Sequence, residues 1–135
     1  MLRYESYLFH LMVLLALSII VVPQFYLTGD GASHTYNAAV LFDVALGRAR
    51  DFYEGFYVIN RNIDPNWMSH ILLGLLLQVM PAWLADKCFQ ILYVLVFAYG
   101  FRFLIRSVYR DNGFLAFLFF PLLFTQPFQQ GFYNY

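Results

Sequence analysis

The residues best suited to chemistry stand together in TGDGASHTYN, residues 28–37, where Asp30 lies between two glycines and His34 follows four residues on. A carboxylate partly withdrawn from water at a membrane surface has its pKa raised toward the range in which it takes a proton from a hydroxyl. One helical turn separates Asp30 from His34, so the two can face one substrate. His70 lies in an otherwise apolar segment, and Arg102, Arg106 and Arg110 recur every four residues, a stripe able to grip phosphate oxygens.

Each feature also has a plainer account. An acid ahead of a helix caps its exposed N–H groups, a neutral histidine bonds to a neighbouring helix, and arginines near a membrane reach for lipid headgroups. The glycines at 29 and 31 lack the GxGxxG spacing and the lysine of a phosphate-binding loop. There is no HExxH, no carboxylate cluster and only one cysteine, Cys88, in an apolar run, so neither a metal nor a cofactor is expected.

The surrounding elements have membrane composition. Of 135 residues, 61% are hydrophobic, 21% aromatic and 12% charged, against about 25% charged in soluble domains. Eight basic and eight acidic residues cancel, which leaves no overall field to recruit nucleic acid. The apolar run 8–27 matches the roughly 20 residues that cross a bilayer, and it exceeds a signal peptide's apolar core, so it reads as an uncleaved first span.

Residues 33–50 are too polar to span and read as a helix at the interface. Residues 51–66 form an aromatic loop suited to the headgroup region. The Asp64–Pro65 step predicts a helix start, with a second span over 65–80 of about 24 Å at 1.5 Å per residue. On it His70, Gly74 and Gln78 make a stripe that should face protein or a cavity, not lipid. A third span is expected over 83–108 and a fourth over 114–128, interrupted by Pro121 and Pro127. The chain stops in QQGFYNY, which reads as an unfinished element and predicts that residues 1–135 are the N-terminal part of something longer. The expected fold is all-α: one polytopic transmembrane bundle of three to four spans, with an interfacial helix in the first loop.

The succession of a first span, GDGASHTYNAAVL, an FY-containing loop, DPNWMSHILLGLLL and ADKCFQILYVLVFAYGFRFLIRS resembles the GT-C superfamily of membrane glycosyltransferases. Among these it looks most like bacterial members related to the protein mannosyltransferases. The resemblance implies an inverting transfer from a polyprenyl-phosphate-linked sugar to an acceptor hydroxyl, with Asp30 as general base and His34 orienting the acceptor or Asp30. It further implies substrate-binding roles for Asn66, Trp67 and His70, and for Arg102 and Arg106 at the departing phosphate. Where many relatives carry an acidic pair, this chain has Asp30 followed by Gly31.

The implied partners are the lipid-linked donor, membrane lipids and the remainder of the chain or other membrane subunits. The implied location is a bacterial inner membrane with the Asp30 loop outside. That orientation puts Arg48, Arg50, Arg61, Arg106 and Arg110 outside and Arg3 and Lys87 inside, the reverse of the positive-inside bias. The competing expectation is a non-enzymatic membrane module: a transporter fragment using His70, or a structural subunit.

Overall fold

The computed structural model describes residues 2–48, 50–53, 55–58, 60, 62, 67–109 and 113–133. All regular structure among them is helical: α1 (Leu2–Val21), α2 (Gly31–Ala45), α3 (Arg50–Tyr53), α4 (Trp67–Leu77), α5 (Ala82–Val108), a 3₁₀ helix (Gly113–Leu122) and α6 (Gln126–Gln130). The expected all-α class is therefore what the chain adopts. Two helices are long and apolar enough to cross a membrane, over Tyr4–Val21 and Ala82–Val108.

The other two expected spans take different forms. Described helix in the second is confined to Trp67–Leu77, about 16 Å of rise, well short of a hydrocarbon core of about 30 Å. The fourth becomes the 3₁₀ helix with Pro121 inside it, then a turn, then the five-residue α6. Proline has no N–H to continue an α-helical ladder, and Pro121 and Pro127 divide this run. The first span also shifts: α1 begins ahead of residue 8 and ends at Val21, because Pro23 cannot extend it.

Contacts divide the chain into two compact units, residues 1–26 with 87–128 and residues 27–86 with 129–135.

In the first unit Phe9, Val13, Ala16 and Ile20 of α1 recur at helical spacing. They bury against Val94 and Ala98 of α5, Ala116 and Phe119 of the 3₁₀ helix, and Leu123 and Phe128 beyond it. The outward faces are apolar too, with Leu14, Val96 and Phe103 more than half exposed. Helices apolar on their buried and open faces alike are compatible with lipid surroundings. The last carbonyls of α1 are closed by Lys87, whose Nζ donates to the carbonyls of Val21 at 3.2 Å and Pro23 at 2.6 Å.

The second unit is built on α2 packed against α4. The stripe on α4 faces protein, as its residue types require. His70 meets His34, Gly74 lies under the ring of Phe42, and the Gln78 amide oxygen accepts from Arg48 at 2.9 Å. Gly74 is small for a reason, since a Cβ there would overlap the Phe42 ring.

Candidate functional site

Asp30 takes the N-cap position of α2, with φ −106° and ψ 1°, yet its side chain makes no capping hydrogen bond. Its carbonyl oxygen accepts from the His34 N–H at 3.0 Å, so the backbone opens the helix and the carboxylate is not used for it. The capping account of Asp30 therefore fails at the side chain.

The loop before α2 is pinned by the chain's last described segment. The Gly29 and Asp30 N–H groups donate to the carbonyls of Gln129 and Gln130 at 2.9 and 2.7 Å. Gly131 turns away with φ +78°, a conformation that other L-residues rarely adopt, and a Cβ there would collide with the Asp30 and Gly31 nitrogens. Residues 129–131, part of the segment that in sequence looks unfinished, thus brace the Asp30 loop.

His34 projects from the first turn of α2 and places Nδ1 3.3 Å from His70 Nε2, with ring centroids 5.2 Å apart. One ring donates and the other accepts, and a hydrogen between them leaves room for a single shared proton. Burial holds the His34 pKa below its ordinary 6.5, positive charge on His70 pushes the same way, and Asp30 pulls it upward. His34 is thus largely neutral at pH 7, as a proton acceptor must be.

The Tyr133 ring lies against His34 with centroids 5.6 Å apart. Its hydroxyl donates to Asp86 Oδ1 at 3.0 Å and stands 3.0 Å from the Thr28 hydroxyl. Thr28 stands two residues before Asp30, but Asp86 and Tyr133 escaped the sequence reading because they lie far from it and from each other in the chain. Tyr133 was one tyrosine among eleven.

His70 also lines a cleft of about 320 Å³, shared with Asn37 and Leu41 of α2, Trp67 of α4, and Tyr57 and Asn60 of the connection. The Tyr57 hydroxyl lies 3.2 Å from that of Tyr36, and this contact, ahead of burial, raises the Tyr57 pKa. Tyr57 therefore remains an uncharged O–H. Of the expected site residues, Asp30, His34, His70 and Trp67 all belong to this unit, and Asn66 lies outside the described residues.

Arg102 and Arg106 belong to the first unit, where both are held by Glu5. Arg102 Nη2 lies 3.2 Å from each Glu5 carboxylate oxygen, and Arg106 Nη2 2.6 Å from Oε2. Glu5 is 2% exposed and Arg102 6%, while Arg102 also sits over the Phe9 ring at 4.3 Å. Charges between apolar helices need partners, so these two arginines already have work in joining α1 to α5. Glu5 supplies that partner. No group of three metal-ligating side chains occurs among the described residues.

The chain matches no family model, no curated protein and no solved structure.

Proposed function

We propose that this chain acts as a membrane glycosyltransferase of the GT-C type, a polytopic bundle of three to four spans that moves a sugar from a polyprenyl-phosphate donor to an acceptor hydroxyl. One observation carries the reading: the Asp30 carboxylate makes no capping bond to the helix it precedes and acts electrostatically on His34, which contacts His70 at the wall of a cleft. In the step, Asp30 takes the acceptor's hydroxyl proton while that oxygen bonds to the anomeric carbon from the face opposite the phosphate. The carbon–phosphate-oxygen bond breaks, its electron pair leaves with the polyprenyl phosphate, and the configuration inverts. His34 orients Asp30 or the hydroxyl. The bilayer retains the lipid product, consistent with residence in a bacterial inner membrane and an outward-facing Asp30 loop.

A second reading, a non-enzymatic membrane module, draws on the His70–Gly74–Gln78 stripe, which is taken up in contacts with His34, Phe42 and Arg48. The test is transfer from a polyprenyl-phosphate sugar by membranes holding the protein, before and after Asp30→Asn. The transferase reading expects activity that the substitution lowers by about 10²–10⁴-fold. Wild-type activity in the variant sinks the assignment of the base, and inactive wild-type membranes favour the module.

A further inference from the structure

We infer that residues 129–133 are a strap that orders the Asp30 loop, with Tyr133 as the positioning residue that latches it. The catalytic meaning of such a strap rests on the transferase reading; its geometry does not.

Both main-chain polar groups of Asp30 are in use. Its carbonyl accepts from the His34 N–H at 3.0 Å, which ties it to α2, and its N–H donates to the Gln130 carbonyl at 2.7 Å, which ties it to the strap. The Gly29 N–H repeats the second bond, to Gln129 at 2.9 Å. The carboxylate adds no capping bond, so the helix holds Asp30 by the carbonyl and the strap holds it by the N–H.

The fit between loop and strap is close enough to exclude side chains on both sides. A Cβ at Gly29 would strike the Gln130 carbonyl, one at Gly31 the hydroxyls of Thr28 and Tyr133, and one at Gly131 the nitrogens of Asp30 and Gly31. A chain segment lying loosely on the surface would demand no glycine. The glycines flanking Asp30, whose spacing matches no phosphate-binding loop, are therefore accounted for by the strap.

The latch is a single phenol. The Tyr133 hydroxyl gives its proton to Asp86 Oδ1 at 3.0 Å and accepts from the Thr28 hydroxyl at 3.0 Å, so it joins the loop, the strap and Asp86. With its proton on Asp86, Tyr133 acts on Asp30 through the loop. A short segment held by a few such bonds opens at a lower free energy than the packed helices beside it, and its release frees the loop without unfolding α2 or α4.

The experiment follows amide hydrogen exchange by NMR in the purified full chain in detergent micelles. The Gly29 and Asp30 amides are expected to be protected in the wild type. Gly131→Ala and Tyr133→Phe should each speed their exchange about tenfold or more, with the amides of α4 unchanged. Gly47→Ala is the control, since Gly47 has φ +71° and open space around it and stands outside the strap. It imposes the same backbone strain and should leave Gly29 and Asp30 protected. A second readout follows the carboxylate. Asp30 raises the His34 pKa, so Asp30→Asn should lower it, and that drop should shrink to about half or less when Tyr133→Phe is also present. Unprotected Gly29 and Asp30 amides in the wild type, or full protection and an undiminished drop in Tyr133→Phe, overturn the strap.

Transfer separates the strap from the reading it deepens. In membranes that are active in the wild type and inactive in Asp30→Asn, Tyr133→Phe should lower kcat about tenfold or more with KM little changed, and Gly47→Ala should alter neither. An unchanged kcat in Tyr133→Phe removes Tyr133 as a positioning residue and leaves the transferase reading standing. The expected exchange pattern in a protein without transfer activity does the reverse.

Discussion

The two units solve the problem of polar groups among apolar helices in opposite ways. In the first, Arg102 and Arg106 share the Glu5 carboxylate, which is buried with both guanidinium groups within 3.2 Å. In the second, the Asp30 side chain precedes its helix without capping it, His34 and His70 share a contact that only one proton can occupy, and His70 also lines an open cleft. Charges held by buried counter-ions join helices, whereas a carboxylate that its own helix does not use is a candidate for chemistry. On the proposed function, the contrast gives the first unit a structural part and the second the reactive one.

Substitutions that swap these properties break the contrast. Glu5→Gln should have the largest effect on stability, about 3–5 kcal/mol, because two guanidinium groups lose their buried counter-ion. Unfolding of the protein in mixed micelles by a denaturing detergent would measure it, and transfer per folded molecule should be unchanged. Gly74→Val comes next, at about 1–3 kcal/mol, since the new side chain must displace the Phe42 ring. Thermal unfolding would register it, and Phe42→Ala in the same chain should restore part of the loss. Tyr133→Phe removes one hydroxyl that serves Asp86 and Thr28. It should cost about 1 kcal/mol and slow transfer with little change in sugar binding, a split that activity and binding assays together resolve.

The smallest effect is that of pH. His34 has a lower pKa in the fold than in the unfolded chain, so below the ordinary imidazole value of 6.5 the unfolded state binds more protons. Stability contributed by the neutral pair is full above that value and is lost as pH falls through it, levelling off below the folded pKa. The limiting slope is about 1.4 kcal/mol per pH unit. Melting temperatures from pH 8 to 5 in the wild type and in His34→Gln would check it, and the variant's profile should be flatter.

How much of this was legible in the sequence follows from how local each cause is. The two long helices were visible because length and apolarity are properties of a contiguous run, and Pro23 accounts for the displacement of the first. The shortness of α4 and the 3₁₀ form of residues 113–122 were not, because both depend on what packs beside them. The stripe on α4 was readable from helical spacing, but its partners His34, Phe42 and Arg48 were not. Asp30 stood out against apolar surroundings, and its side chain's failure to cap is a matter of geometry that no spacing encodes. The Glu5–Arg102 pair and the Thr28–Tyr133 contact join residues 97 and 105 positions apart. No periodicity reaches so far, and the only clue was the general need of buried charge for a partner.

The central claim is that Asp30 is the reactive carboxylate and Glu5 the structural one. Its most direct test is the single-turnover rate of sugar transfer from a polyprenyl-phosphate donor, measured in Asp30→Asn and Glu5→Gln at equal amounts of folded protein. The account predicts a loss of about 10²–10⁴-fold in the first and a near wild-type rate in the second. A near wild-type rate in Asp30→Asn, or an equal loss in Glu5→Gln, would contradict it.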